Sequence, residues 1–347
     1  MAPLMNDPNT WSEWSEPDLL IRFEQMLKQK VASKYFKENT VAAMPITRKR
    51  WAGQYKEDSD AYFERVKGEI SCQEILIPFR DGYQARALVY KPLEIPVDGC
   101  AVVAIIHGGG FCLGSAEMEA IPCIDATRSY GCISISLEYR LAPEYKYPTP
   151  FEDCWDAIRW IASNAGTLGG NLSKGFILGG TSAGAHMTAT LSHWARDQNL
   201  SPPLTGLYLN VVGLVVPEAV PETYKDLYRS REQNKEGMTL SAAANAVYLE
   251  ALQPDLTSHI YNPFNWPSGH AGLPPTYFQI CGADILRDEA LIYERILREE
   301  HNTPTKVDIY PGLPHVFWVN FPTHSSTRKF YSDVNQGLGW LLKESAK

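Results

Sequence analysis

Gly180-Thr181-Ser182-Ala183-Gly184 is the stretch that decides the fold, because of what stands on either side of it. The apolar run at 175–179 predicts a short buried strand, and residues 185–197 predict a helix rich in Ala, Met and Leu. A serine bracketed by glycines at a strand-to-helix turn is the pattern of a nucleophile elbow, where only glycine fits two residues to either side. The pattern predicts that the Ser182 hydroxyl stands above a sheet as a nucleophile.

Apolar strands alternate with helical stretches along the chain. This alternation predicts an α/β fold, with a mostly parallel central sheet covered by helices on both faces. A hairpin with strands at 74–78 and 83–91 opens the sheet. The further predicted strands are 101–106, 132–137, 176–178, 208–215, 276–281 and 307–310, and the predicted helices are 151–164, 183–197, 288–300 and 327–344.

Two stretches outside this rhythm predict a helical cap. Residues 17–36 place apolar side chains on one helical stripe, namely Leu19, Leu20, Phe23, Met26, Leu27, Val31, Tyr35 and Phe36. The second stretch, residues 217–262, has a helical, polar and aromatic pattern and no strand pattern of its own. We therefore expect an N-terminal part of the cap at 1–55, a first part of the core at 56–216, a cap insertion at 217–262 and a second part of the core at 263–347.

Two later loops supply the partners that a serine nucleophile needs. A serine hydroxyl requires a base, and the base requires an orienting acid. Asp284 follows the strand at 276–281, and His315 follows the strand at 307–310, so both lie just past carboxyl ends of strands, where open α/β sheets place their ligand sites. We predict Ser182 as nucleophile, His315 as base and Asp284 as orienting acid, in the chain order of α/β-hydrolases.

Each of these three assignments has an alternative. Ser182 is otherwise a helix N-cap residue, and His315, one of eight histidines, is otherwise structural. Asp288 and Glu289 lie close enough along the chain to replace Asp284 as the acid.

A run of glycines supplies candidate donors for a developing negative charge. His107-Gly108-Gly109-Gly110 directly follows the strand at 101–106, and glycines let backbone N–H groups approach a ligand without a Cβ in the way. We predict an oxyanion hole made of the N–H groups of Gly108, Gly109 and Ala183. The alternative, a phosphate cradle, is disfavoured because residues 108–114 miss G-x-G-x-x-G and no P-loop lysine follows.

Composition excludes several classes of function. A net charge of −8 gives no electrostatic footprint for nucleic acid or an anionic membrane surface. No apolar run approaches the roughly 18 residues of a membrane span. The first seven residues lack the features of a signal peptide, and the seven cysteines contain no C-x-x-C pair, so we expect reduced thiols and a cytoplasmic protein. No H-E-x-x-H or Cys/His cluster is present, and we expect no metal and no cofactor.

Several motifs resemble those of the hormone-sensitive-lipase-like group of α/β-hydrolases, the carboxylesterases and lipases with an HGGG oxyanion sequence. They lie at 107–115 (HGGGFCLGS), 138–144 (EYRLAPE), 180–184 (GTSAG), 284–289 (DILRDE, usually DPLRDE) and 312–317 (GLPHVF, usually GxxHGF). The motifs follow the group's order and span its whole catalytic core. Two departures stand beside the predicted acid and base: Ile285 replaces a proline and Val316 replaces a glycine.

The resemblance implies a serine hydrolase that cleaves a small-molecule carboxylic ester through an acyl-enzyme, with His107 and Glu144 in structural roles. It also allows a homodimer joined at an edge strand. A second reading is a specialised-metabolism enzyme acting on a thioester or a bulky natural-product ester. A third is a non-catalytic ligand receptor; receptors that resemble this group lack the catalytic histidine, whereas His315 is present here.

The cap aromatics bear on the second reading. They either wall a bulky pocket or only pack the cap onto the core, and they are Trp11, Trp14, Phe23, Tyr35, Phe36, Trp51, Tyr224, Tyr228 and Tyr248.

Overall fold

One sheet organises the part of the chain that the computed structural model describes, residues 5–18, 21 and 40–346. Its eight strands lie in the order β1-β2-β4-β3-β5-β6-β7-β8. The β1–β2 and β2–β4 pairs are antiparallel, and the other pairs are parallel. The strands are β1 (Ile70–Pro78), β2 (Gln84–Pro92), β3 (Val102–Ile106), β4 (Ile133–Leu137), β5 (Phe176–Thr181), β6 (Gly206–Asn210), β7 (Thr276–Ala283) and β8 (Thr305–Pro314). The predicted α/β fold with a mostly parallel sheet is confirmed.

Helices surround this sheet. The α-helices are α1 (Met44–Glu64), α2 (Ala120–Tyr130), α3 (Thr149–Asn164), α4 (Ala183–Asp197), α5 (Ser230–Gln233), α6 (Ala242–Leu252), α7 (Arg287–Arg295), α8 (Phe317–Asn320) and α9 (Ser325–Glu344). A π-helical turn, Ile296–Glu300, continues α7. Short 3₁₀ helices lie at Pro8–Ser15, Val41–Ala43, Ala116–Glu119, Ala165–Leu168, Leu172–Lys174, Pro217–Ala219, Glu222–Leu227 and Pro263–Asn265.

The side chains of the central strand β3 alternate between two hydrophobic clusters, one on each face of the sheet. Ala104 and Ile106 pack in the cluster that contains residues of α3 and α4. Val103 and Ile105 pack in the cluster that contains residues of α2 and α9. Successive side chains of a strand point to opposite faces, so a strand buried on both faces is apolar throughout. This explains why β3 is a continuous apolar run in the sequence.

The strand predicted at 208–215 is wrong in its second half, because β6 ends at Asn210. Val211 adopts a positive φ of 45°, which turns the chain out of the sheet. The backbone N–H groups of Leu214 and Val215 then donate to the carboxylate of Glu289 instead of to a neighbouring strand. An apolar run in a buried loop has the same sequence pattern as a buried strand, so sequence alone does not separate the two.

Two helices carry no clear signal in the sequence. Helix α1 buries only Met44 and Ser59 and has no continuous apolar stripe. It crosses the predicted boundary between residues 55 and 56 as one uninterrupted helix. Helix α2 is buried over most of its length, so its apolar residues show little periodicity.

The division into cap and core stays a prediction. The predicted helix at 17–36 falls almost wholly on residues 19–20 and 22–39, which lie outside the described residues. Residues 217–262 are all described and contribute no strand. Among the helices of the described chain, none combines the length and the apolar character needed to cross a membrane.

The carboxyl ends of four parallel strands carry the predicted triad and the start of the predicted oxyanion sequence. His107 follows β3, Ser182 follows β5, Asp284 follows β7 and His315 follows β8. The last two strands run further than predicted, through Ala283 and Pro314, so the two side chains directly follow their strands without an intervening turn. Parallel strands end at the same edge of a sheet, and this geometry brings loops that are distant in sequence together.

The turn at Ser182 depends on a glycine in the first turn of α4. A Cβ at Gly184 would lie 2.0 Å from the backbone oxygen of Ile106. We therefore expect Gly184→Ala to lower the free energy of unfolding by about 1–3 kcal/mol, because backbone must shift to admit the methyl group. Urea unfolding followed by tryptophan fluorescence measures the change. Gly166→Ala is the matched control, since a Cβ there would meet no atom within 4 Å, and an unfolding free energy equal for the two variants would contradict this packing argument.

Candidate active site

Ser182 occupies a strained turn between β5 and α4. Its backbone angles are φ 54° and ψ −115°, a conformation that L-residues other than glycine seldom adopt. A hydrogen bond holds it, and glycine at position 180 permits a close backbone approach. The N–H of Ser182 donates to the backbone oxygen of Asn210 at 2.8 Å, and a Cβ at Gly180 would lie 2.3 Å from the backbone carbon of Gly184. The two glycines let the chain fold back tightly enough to lift the hydroxyl above the sheet.

The three predicted side chains meet in series. Nε2 of His315 lies 2.9 Å from Oγ of Ser182, and Nδ1 of the same ring lies 2.6 Å from Oδ2 of Asp284. Asp284 and His315 are 2% and 6% exposed, so the contact between them is shielded from water. A carboxylate only accepts hydrogen bonds, so it selects the tautomer with a proton on Nδ1 and leaves the Nε2 lone pair facing the serine hydroxyl. The arrangement can therefore remove a proton from Ser182.

The two alternative acids have other partners. Asp288 accepts a hydrogen bond from the backbone N–H of Ser230 at 2.6 Å. Glu289 accepts one from the backbone N–H of Val215 at 2.9 Å. The carboxylate that meets the imidazole belongs to Asp284, whose second oxygen accepts the N–H of Leu286 at 3.0 Å.

The glycine run lies directly against Ser182. A Cβ at Gly108 would be 2.8 Å from the backbone oxygen of Thr181 and 3.3 Å from Cβ of Ser182. Gly109 has a φ of 110°, and its backbone oxygen accepts the N–H of Leu113 at 2.9 Å. This tight turn keeps the loop close to the serine. Glycine is required at Gly108 by the close approach to Thr181 and at Gly109 by the positive φ. The loop is therefore positioned to offer backbone donors near the Ser182 hydroxyl.

His107 and Glu144 support this loop. Nδ1 of His107 lies 2.7 Å from the backbone oxygen of Gly108, and its ring stacks on Tyr139 with the centroids 4.3 Å apart. Burial lowers the pKa of His107 to about 4, so the neutral ring donates to that oxygen. Glu144 acts through Arg48, which pairs with it at 2.9 Å and also donates to the backbone oxygen of Cys112 in the loop at 2.8 Å. These contacts fit the structural roles that the resemblance implies.

The sequence carries no signal for one buried acid next to the turn at Ser182. Glu119, at the end of a 3₁₀ turn, is 4% exposed and hydrogen-bonds with the side chain of Thr181, the residue before Ser182. Burial raises the pKa of Glu119 to about 7, and the bond to Thr181 only partly opposes the rise. No motif signals such a contact, because it joins the side chains of two elements that are remote in sequence.

The predicted aromatic cap residues divide between packing and the site. Trp11 and Trp14 are buried in a cluster with residues of β7 and α7, so they pack against the core. Tyr248 of α6 lies over the glycine run instead, because a Cβ at Gly110 would be 2.6 Å from its ring. Phe23, Tyr35 and Phe36 lie outside the described residues.

A cavity of about 640 Å³ lies behind the glycine run, and its lining includes His107 and Gly114 but not Ser182. Its arginines are already paired with carboxylates. Arg86 contacts Glu117 at 2.7 Å, for example, and Arg48 contacts Glu144 at 2.9 Å. We therefore do not assign it as the substrate site.

Comparison with known proteins agrees with this geometry. A family model described as alpha/beta hydrolase fold matches residues 103–319, which is more than half of the chain. The chain belongs to this family. An AB hydrolase superfamily protein of Schizosaccharomyces pombe is 37% identical over 279 residues, which cover 80% of this chain and 82% of that protein.

Two named enzymes are also similar to this α/β-hydrolase. Versiconal hemiacetal acetate esterase of Dothistroma septosporum is 33% identical over 239 residues, which cover 69% of this chain and 72% of the esterase. The crystal structure of vibralactone cyclase superposes with a TM-score of 0.81 at 29% identity, covering 88% of this chain and 90% of the cyclase. The chain is an esterase-type α/β-hydrolase of the hormone-sensitive-lipase-like group.

The buried acid makes stability depend on pH. A carboxyl group whose folded pKa lies above its unfolded value binds more protons in the folded state, so stability falls as pH rises between the two values. For Glu119 this window runs from the ordinary value of 4.5 to about 7. Glutamine cannot ionise, so we expect the unfolding free energy of Glu119→Gln, relative to wild type, to rise by about 3 kcal/mol between pH 4 and pH 8.

Urea titrations of both proteins across that pH range measure the difference. Glu218→Gln, at an exposed position, controls for the loss of one negative charge. A difference between Glu119→Gln and wild type that stays constant with pH would refute the assignment of Glu119 as a buried, protonated acid.

Proposed function

We propose that this protein hydrolyses carboxylic esters through an acyl-enzyme, with Ser182 as nucleophile, His315 as general base and Asp284 as the residue that orients the imidazole. One observation carries the proposal: the imidazole lies within hydrogen-bond distance of both other side chains, at 2.9 Å and 2.6 Å. Membership of an esterase-type family supports the same chemistry.

Acylation begins with attack of Ser182 Oγ on the ester carbonyl. His315 accepts the hydroxyl proton at Nε2, and Asp284 stabilises the imidazolium that forms. The carbonyl oxygen becomes an oxyanion, which the N–H groups of Gly108, Gly109 and Ala183 stabilise. The imidazolium then returns its proton to the leaving alkoxide, and the alcohol departs.

Deacylation repeats the sequence with water. His315 removes a proton from a water molecule, whose oxygen attacks the acyl carbonyl of Ser182. The same backbone donors stabilise the second oxyanion, since it forms at the same place. Collapse of this intermediate releases the carboxylic acid and returns the proton to Ser182. Loss of one oxyanion donor typically slows such a reaction by roughly 10²–10³.

The nucleophile is tested by Ser182→Ala. We expect this variant to lose about 10⁶ in kcat on a hydrolysable p-nitrophenyl ester and to lose labelling by a fluorophosphonate probe, because both require the serine oxygen. Ser192→Ala is the matched control: this serine is buried in α4, the helix that follows Ser182, where its hydroxyl donates to the backbone oxygen of Ala189 at 2.7 Å.

The control should keep wild-type labelling and turnover. Substantial ester hydrolysis by folded Ser182→Ala would refute the proposed nucleophile. Absence of labelling in the wild-type protein would instead revive a non-catalytic, receptor-like role.

A second candidate is the same serine chemistry on a thioester or a bulky natural-product ester. The names of two similar proteins, versiconal hemiacetal acetate esterase and vibralactone cyclase, point toward particular natural products. Tyr248 also supports it, because its ring lies over Gly110 and offers an aromatic wall from residues 217–262, the segment that we propose as a cap insertion.

A panel of p-nitrophenyl esters separates the two candidates. We expect short acyl esters, acetate and butyrate, to be hydrolysed fastest, because a general esterase accepts small acyl groups without needing contacts from the cap. The measurement is kcat/KM across acyl lengths, with phosphonate labelling of Ser182 as the check that the site is intact. Near-silence toward the whole panel with full labelling would favour the specialised substrate.

A further inference from the structure

One segment between β6 and β7 contacts both loops that carry the predicted acid and base. We call residues 230–248 the clamp segment. The side chain of Asn234 donates from Nδ2 to the backbone oxygen of Asp284 at 2.9 Å. The hydroxyl of Thr239 donates to the backbone oxygen of His315. A single stretch of chain therefore bonds to the two residues whose side chains must meet.

These bonds act on the main chain of the triad residues. A hydrogen bond to a carbonyl restrains the peptide plane from which the neighbouring side chain projects. Asp284 and His315 meet at 2.6 Å, so a small rotation of either peptide would lengthen their contact. Asn234 is 8% exposed, and its bond to the Asp284 carbonyl is therefore shielded from competing water.

The apolar side of the clamp segment packs on the loop that carries Asp284. The contact lies at Ile285, the first of the two positions where this sequence departs from the group's motifs. Ile285, where the group usually has proline, is 1% exposed and packs with Leu240 and Leu286. Tyr248 joins the same cluster and also lies over the oxyanion loop. The backbone oxygen of Ile285 accepts the hydroxyl of Ser230 at 2.8 Å. The clamp segment thus contacts the acid loop through both apolar and polar groups.

The second departure lies in the base loop. Val316 has a φ of 47°, in the left-handed region where a β-branched side chain is strained and where glycine, the group's usual residue, is at ease. The peptide that joins His315 to Val316 carries the oxygen to which Thr239 donates. External contacts therefore hold a conformation that the residue itself disfavours.

We infer that Asn234 and Thr239 are positioning residues. They keep the loops of Asp284 and His315 aligned so that the imidazole can accept the proton of Ser182. The inference rests on the proposed Ser182, His315 and Asp284 mechanism and assigns part of its alignment to the clamp segment. Neither residue touches the reacting atoms. Each acts through the backbone oxygen of a triad residue.

Substitutions at Thr239 test this role most cleanly. Thr239→Val removes the donor at nearly constant volume, and Thr239→Ser restores it. Asn234→Ala removes the other donor and provides an independent test if Thr239→Val does not fold. The matched control is Ser241→Ala, in the same segment, whose hydroxyl oxygen accepts the N–H of Ala244 at 3.1 Å and caps α6 without a bond to either triad loop.

Misalignment at the reacting centre should reduce turnover rather than binding. We expect Thr239→Val and Asn234→Ala each to lower kcat on a p-nitrophenyl ester by about 10- to 100-fold, with KM changed by less than about threefold. Thr239→Ser should recover kcat to within about threefold of wild type.

Three outcomes would overturn the inference. They are wild-type kcat in folded Thr239→Val and Asn234→Ala, a rise in KM alone, and an equal loss of kcat in Ser241→Ala, which would reduce the effect to general loosening of the segment. Thermal unfolding of each variant checks that it is folded at the assay temperature, so that the kcat values of folded proteins are compared.

The controls also separate this inference from the proposed function. Phosphonate labelling and ester hydrolysis by the wild-type protein test the Ser182 mechanism before any clamp variant is measured. An active, labelled wild type with unaffected variants would refute the clamp and leave the mechanism standing. An inactive, unlabelled wild type would refute the mechanism first and the clamp with it.

Discussion

The proposed chemistry depends on the two hydrogen bonds of the His315 imidazole, and the architecture of the sheet makes those bonds possible. The imidazole joins Ser182, 133 positions earlier in the chain, to Asp284, 31 positions earlier. Local structure cannot bring such residues together. The parallel sheet does so, because β5, β7 and β8 end at one edge and each presents one of the three side chains at its first residue beyond the strand. Close packing of helices on both faces makes the sheet rigid. This rigidity holds the two contacts of the imidazole, with Ser182 and with Asp284, near the optimal hydrogen-bond length.

Two residues at this interaction have strained backbones. Ser182 and Val316 have positive φ angles of 54° and 47° in a chain where most non-glycine residues avoid that region. Such conformations persist only where surrounding contacts determine them. At Ser182 those contacts are Asn210, the flanking glycines, and the Glu119–Thr181 pair beneath the turn. At Val316 the neighbouring contact comes from Thr239. The protein thus supports its reactive centre from the core on one side and from the segment between β6 and β7 on the other.

Much of the fold and of the candidate site can be predicted from the sequence. The features that cannot be predicted leave no pattern in the sequence for physical reasons. The strands around Ser182 are predictable because a strand buried on both faces is a continuous apolar run. Asp284 could not be separated from Asp288 and Glu289 by position, since their different partners appear only once the chain folds. Helix α1 was missed because it buries so few residues, and residues 211–215 were misread because a buried loop that donates to a carboxylate is as apolar as a strand. The contacts of Glu119, Asn234 and Thr239 join remote elements through single hydrogen bonds, which no periodicity records.

The most direct measurement is a crystal structure of the protein after reaction with a fluorophosphonate, whose tetrahedral phosphorus imitates the acylation intermediate. We predict phosphorus bonded to Oγ of Ser182, with His315 Nε2 beside the leaving-group position. We also predict a phosphoryl oxygen about 3 Å from the N–H groups of Gly108, Gly109 and Ala183. An adduct on another residue, or an oxygen directed away from those three donors, would contradict this prediction.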